Sequence, residues 1–182
     1  IPPDVERVPV PMAYDLIAAV DLGSNSFRLQ VGRVVGNQIY PLDSLKDSVR
    51  LAAGLGADKT LDSNSQVRGV QALARYGERL RSFETGAVRA VATNTLRVAK
   101  NATQFLQRAE TALGFPIEVI AGREEARLIY LGVAHSLPNP KRQNLVVDIG
   151  GGSTEFIIGR HFQPSQLESL YMGCVSYSLR FF

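Results

Sequence analysis

One short pattern occurs twice in this chain. Val20-Asp-Leu-Gly-Ser-Asn-Ser-Phe-Arg-Leu-Gln-Val-Gly-Arg33 aligns with Val147-Asp-Ile-Gly-Gly-Gly-Ser-Thr-Glu-Phe-Ile-Ile-Gly-Arg160, with Val, Asp, Gly, Ser, Gly and Arg identical. A hairpin turn needs glycine but does not require Asp, Gly and Ser at matched offsets, so the recurrence points to duplication. Each copy opens a run of three strands, and the chain therefore reads as two similar lobes. The second copy starts near Asn144, too late for a second lobe as long as the first, and the expectation is a whole first lobe followed by the beginning of a second.

Residues 1–15 carry four prolines with little periodicity and read as a flexible leader. The first lobe is assigned to residues 16–138, with strands at Leu16–Val20, Phe27–Val35 and Gln38–Leu51. A helix capped by Ser63 or Asn64 follows, its inward stripe being Val67, Val70, Leu73, Ala74, Gly77 and Leu80. Ala87–Ala92 reads as a strand, Asn101–Leu113 as a helix stopped by Gly114, and Ile117–Ile120 as a strand. Arg123–Leu137 is expected as a helix with Ala126, Ile129, Tyr130, Val133, Ala134 and Leu137 on one face. Pro138 and Pro140 then break the chain. In the second lobe, residues 139–182, strands are expected at Leu145–Ile149, Thr154–Ile158 and Leu167–Met172. The fold class is α/β, in the order βββαβαβα, with a second similar unit beginning after it.

Composition limits the functional classes. The chain has 45% hydrophobic residues and a formal net charge of +3 with its basic residues scattered, so anion binding must come from a local constellation and nucleic acid is disfavoured as a partner. Cys174 is the single cysteine, which excludes an intrachain disulfide and fits a reducing compartment, with the cytoplasm as the default location. No apolar run approaches the roughly 20 residues of a membrane span, and no signal-peptide pattern is seen at the start.

The two repeats carry the chemistry. In each, an Asp at a strand end precedes a Gly/Ser/Asn turn whose backbone N–H groups can converge on phosphate oxygens. Ser24, Asn25 and Ser26 in the first loop, and Gly150, Gly151, Gly152 and Ser153 in the second, are the phosphate-binding candidates. Asp21 and Asp148 beside them offer hard oxygen ligands for Mg²⁺, which commonly bridges one or two carboxylates to a substrate phosphate. Neither loop is a Walker sequence.

Glu155 stands where the first copy has Arg28, so one loop alone gains a carboxylate able to orient water or bind metal. Glu124 and Glu125 lie in a first helical turn, where acidic residues are favoured by the helix dipole whatever their function. Glu125 flanks the inward stripe while Glu124 faces Arg127 and Leu128, making Glu125 the better inward base. The direction of its pKa shift is open at this level, because burial and a helix N-terminus act oppositely. Arg97, just after a strand end, is placed to pair with phosphate or to sit at the surface. His135, His161 and Cys174 lack ligand spacing.

Taken together, the strings Ala19–Phe27, Arg50-Leu-Ala-Ala-Gly-Leu55, Ala92-Thr-Asn-Thr-Leu-Arg97, Glu124–Tyr130, Val147–Glu155 and Met172-Gly-Cys-Val175 resemble the exopolyphosphatase/guanosine pentaphosphate phosphohydrolase family. That family lies within the acetate kinase, sugar kinase, heat-shock-70 and actin superfamily. The resemblance implies ribonuclease-H-like lobes of the actin-like ATPase type with the active site between them. It also implies a Mg²⁺ cofactor, with a monovalent cation such as K⁺ as a candidate beside it, and homodimerisation of full-length members. By the same resemblance Glu125 is the catalytic base and Glu155 positions water or metal. The expected activity is hydrolysis of the terminal phosphoanhydride of inorganic polyphosphate. The alternatives are guanosine pentaphosphate 5'-phosphohydrolysis, as in the stringent response, a non-catalytic sensor of either polyanion, and a superfamily kinase.

Overall fold

A computed structural model describes residues 14–36, 38–137 and 142–181. The proline break at 138–140 and nearly all of the leader lie outside them. Strands β1 (Leu16–Leu22), β2 (Phe27–Val35) and β3 (Gln38–Asp47) form an antiparallel meander, followed by α1 (Ser63–Leu80), β4 (Val88–Ala92), α2 (Asn94–Val98), α3 (Ala102–Leu113), β5 (Ile117–Val119) and α4 (Gly122–Ser136). After these come β6 (Gln143–Ile149), β7 (Thr154–Arg160), β8 (Gln163–Leu170) and α5 (Cys174–Phe181). The first sheet has the order β3-β2-β1-β4-β5, with β4 parallel to β1 and β5 parallel to β4, and the second is the antiparallel meander β6-β7-β8.

The expected element order holds, with local corrections. The third strand ends at Asp47 rather than Leu51, because Arg50 turns into the left-handed region (φ 55°) and Ala52–Gly54 forms a 3₁₀ turn. Asp62, not Ser63 or Asn64, caps α1, its carboxylate accepting from Ser65 N at 2.7 Å. The buried stripe of α1 is Ser65, Gly69, Ala72, Leu73, Tyr76 and Leu80, rotated from the expected one; Val67 and Ala74 face outward. Tyr76 takes an inward position because its hydroxyl reaches a partner there, donating to Phe27 O at 3.0 Å. Two short helices were not anticipated: α2, which carries Arg97, and α5.

Gly77 sits where α1 crosses α3. A Cβ added there would lie 2.6 Å from Ala112 O and 2.7 Å from Leu113 O, both backbone atoms that cannot swing aside. Gly77→Ala is expected to push the helices apart and cost about 1–3 kcal/mol, read as a lower denaturant midpoint at unchanged slope.

Duplication extends into the backbone. Register shifts fall between Val31 and Gly32 in one meander and between Ile158 and Gly159 in the other, at aligned positions, and each glycine faces a proline, Pro41 or Pro164. Proline has no N–H for the ladder and is tolerated at such irregularities.

The two sheets differ in which face is covered. Helices α1 and α3 lie on the first sheet with Val20, Leu22, Phe27 and Leu29 beneath them, in one core cluster. In the second unit α4 packs on the opposite face, where Ala126, Tyr130 and Ala134 meet Ile157, Val146 and Leu167. Helix α4 was expected to belong to the first lobe, but its apolar stripe docks on β7 and β8, so by packing the divide falls near Ala121. Asp148 was likewise expected at the end of a buried strand. On β6, however, Leu145, Val147 and Ile149 are 63%, 44% and 68% exposed, because no element among the described residues covers that face.

Candidate active site

The loops joining β1 to β2 and β6 to β7 meet. A Cβ on Gly151 would lie 3.2 Å from Asn25 Cβ and 3.3 Å from Ser24 Cβ, and one on Gly152 would lie 3.1 Å from Ser24 Oγ. The loops turn tightly at matching glycines: an added Cβ would lie 2.8 Å from Ser26 O at Gly23 and 3.0 Å from Ser153 O at Gly150, whose N also donates to Ser153 O at 2.9 Å. Gly173 backs the second loop so tightly that an added Cβ would lie 2.3 Å from the Gly151 carbonyl carbon. Between the loops is a cleft of ≈ 400 Å³, lined by Asp21, Ser24, Asn25 and Ser26 from one side and Asp148, Gly150, Gly151, Gly152 and Ser153 from the other. Glu125, Arg28, Lys46, Thr93 and Cys174 also line it.

Strand register explains why the two sides differ chemically. Directly opposed residues share a face; in the first lobe these are Asp21, Arg28 and Lys46, and in the second Asp148, Glu155 and Ser169. The sequence comparison matched Arg28 with Glu155 but missed Lys46 and Ser169, which only strand pairing places in the rows. One row offers two cations beyond its Asp, the other a carboxylate and a hydroxyl.

Because α4 covers the second row's face, Glu155 is 1% exposed, with Oε1 accepting from Ser169 Oγ at 2.8 Å. Arg28, on an uncovered face, is exposed to the cleft.

Glu125 projects from the first turn of α4. Arg97 Nη1 donates to Glu125 Oε2 at 2.7 Å and to Ile120 O at 2.9 Å, with both side chains about 15% exposed. Burial pushes the Glu125 carboxyl up to about 7; the Arg97 hydrogen bond opposes this, while the nearby negative charges of Glu155 and Asp21 add to it. Glu124, by contrast, points out of the cleft and is held by Arg127 in two hydrogen bonds of 2.7 and 2.8 Å, which keep its carboxyl below the usual range. Arg97, read as pairing with phosphate or lying at the surface, stands behind Glu125 and does not line the cleft, its Nη1 donating to both the carboxylate and a backbone carbonyl.

Asp21 opens to the cleft, yet the protein around it displaces enough water to push its carboxyl up to about 6; Arg28 opposes that rise and Asp148 contributes to it. Two carboxylates that crowd each other across the cleft suit a divalent cation, which would relieve the repulsion. No cluster of three or more His, Cys, Asp or Glu occurs among the described residues. Asp21 and Asp148 would offer a cation there two carboxylates, a donor set that fits an ion such as Mg²⁺, which tolerates few protein ligands.

Residues 30–182 match the model of the Ppx/GppA phosphatase family, and the chain belongs to that family. It is 34% identical to the PPX-GPPA enzyme of Aquifex aeolicus over 92% of its own length and 56% of that chain, with a TM-score of 0.78. An exopolyphosphatase from Cytophaga hutchinsonii superimposes with a TM-score of 0.85 at 29% identity, over 91% of this chain and 53% of that one. The ethanolamine utilization protein EutJ from Carboxydothermus hydrogenoformans, 16% identical over 96% of this chain and 58% of that one with a TM-score of 0.50, shares the actin-like ATPase fold alone. The chain spans about half the length of these relatives. No helix among the described residues is long and apolar enough to cross a membrane.

Proposed function

We propose that this chain carries the catalytic cleft of a phosphohydrolase that removes the terminal phosphoryl group of inorganic polyphosphate. The observation that carries this reading is the placement of Glu125. Its carboxyl is pushed up to about 7, is oriented by Arg97, and faces two matched loops that can cradle phosphate. A base is most effective when its pKa lies near the operating pH. A sensor needs no such group, and a kinase would use an acceptor hydroxyl rather than water.

In the proposed reaction Glu125 takes a proton from a water as that water attacks the terminal phosphorus in line. The phosphorus–oxygen bond to the rest of the chain breaks, and the shortened chain leaves with the electron pair on its oxygen. Glu155 does not line the cleft and acts from behind, its charge helping to raise the Glu125 carboxyl. Asp21 and Asp148 would hold Mg²⁺, which when bound supplies charge neutralisation at the phosphoryl oxygens. Backbone N–H groups of Ser24–Ser26 and Gly151–Ser153 grip the terminal group, while Arg28 and Lys46 offset the charge of the phosphates behind it.

Full-length protein supplied with Mg²⁺ is expected to release orthophosphate from polyphosphate without an acceptor, and to stop when the metal is chelated. Release from guanosine pentaphosphate alone would move the assignment to the alarmone, whose terminal anhydride is the same bond. Release from neither, with binding retained, would favour the sensor.

A further inference from the structure

Two strings of the sequence have no part in the reaction above: the run from Arg50, after β3, and the run from Gly173, after β8. Each donates through its main chain to one of the two loops. Arg50 N donates to Asn25 O at 2.8 Å and Ala52 N to Ser24 O at 2.9 Å. In the other lobe Cys174 N donates to Gly150 O at 2.9 Å, while Val175 N and Ser176 N both donate to Gly151 O, at 3.0 and 3.2 Å. Arg50 makes its bond from the left-handed region, at φ 55°, a conformation that residues other than glycine rarely adopt.

In a planar trans peptide unit the C=O and the following N–H point in opposite directions, and no cis bond occurs among the described residues. Holding the carbonyls of Ser24 and Asn25 therefore turns the N–H groups of Asn25 and Ser26 away from the Arg50–Ala52 segment. Holding those of Gly150 and Gly151 likewise turns the N–H groups of Gly151 and Gly152 away from the start of α5. Asn25, Ser26, Gly151 and Gly152 all line the cleft, whereas of the five donor residues only Cys174 does. Among the described residues none of these four N–H groups has a main-chain acceptor. Successive N–H groups left free in this way form an anion-binding concavity.

We infer that Arg50–Ala52 and Cys174–Ser176 are positioning elements, whose main-chain donors aim the N–H groups of Asn25, Ser26, Gly151 and Gly152 at the substrate's phosphoryl oxygens. This rests on the phosphohydrolase reading above and deepens it by naming which amides bind and what holds them. Because the carbonyls are fixed before substrate arrives, the loops need little reorganisation to grip it.

Nitrogen-15 NMR of the full-length wild-type protein with Mg²⁺, titrated with non-hydrolysable imidotriphosphate, reads the four amides directly. Their proton signals are expected to move downfield along one saturation curve and to exchange more slowly with solvent, while those of Gly23 and Gly150 move less. Cys174 is the first residue of α5, where proline is tolerated because that N–H has no partner within the helix. Cys174→Pro thus deletes one positioning donor and should weaken imidotriphosphate binding roughly fivefold relative to Cys174→Ala, which keeps the N–H, at a similar denaturant midpoint. The wild-type titration decides alone should the proline variant fail to fold. Larger shifts at Gly23 and Gly150 than at the four amides, or equal affinity in the two Cys174 variants, would overturn the inference and leave a phosphate site in the cleft. Unmoved amides throughout Gly23–Ser26 and Gly150–Ser153 at saturating imidotriphosphate would remove the phosphate-gripping reading as well.

Discussion

Glu125→Gln is expected to cut phosphate release by about 10²–10⁴-fold, the usual contribution of a positioned general base, while polyphosphate still binds. The amide keeps the shape of the side chain and can still face Arg97, so loss of turnover without loss of binding isolates proton transfer. Glu125 must be deprotonated to act, and its carboxyl sits at about 7. Turnover should therefore rise as pH increases through about 7, and this acidic limb should vanish from the residual rate of the variant. Stability runs the other way. A carboxyl whose folded pKa is raised favours folding in its protonated form, so that contribution is present below the ordinary carboxylate range and is lost as pH rises through about 7. An unchanged kcat would remove Glu125 from the mechanism.

Glu155→Gln should lower kcat on the order of 10²-fold and displace the pH profile. Glu155 is buried beneath α4, and its negative charge is one of the influences raising the Glu125 carboxyl. Removing that charge should let Glu125 ionise more readily, moving the acidic limb to lower pH while the maximum rate falls. A residue with only a packing role would lower the rate or the stability without moving the limb. Ser169 donates to Glu155 Oε1 and can do the same to the amide oxygen of the variant, so the site should stay folded. A pH profile of kcat in the same position as the wild type's would argue against the proposed coupling between the two glutamates.

Where periodicity and turn chemistry were local, the sequence was readable. Phe27–Val35 was placed to the residue, and Gly114 ends α3 in the left-handed conformation expected of it, at φ 81°. The misplaced stripe of α1 shows the limit: apolar character alone favoured Val67 and Ala74, whereas the inward face was decided by the hydrogen bond open to Tyr76 and the space left by Gly69. Arg97 was not legible as a partner of Glu125, because twenty-three to twenty-eight residues separate it from the groups it contacts. Lys46 and Ser169 had no local signal at all.

By itself the sequence determined the duplication, the two loops and the acidic residues beside them, because identical spacing of Asp, Gly and Ser is a property of the chain and survives any packing. Tertiary structure alone decided that the two copies are chemically unequal. Helices cover opposite faces of the two sheets, leaving Arg28 open in one lobe and enclosing Glu155 in the other. Burial and neighbouring charge, neither of which is written in a local pattern, then bring Glu125 to a pKa at which it can take a proton near neutrality.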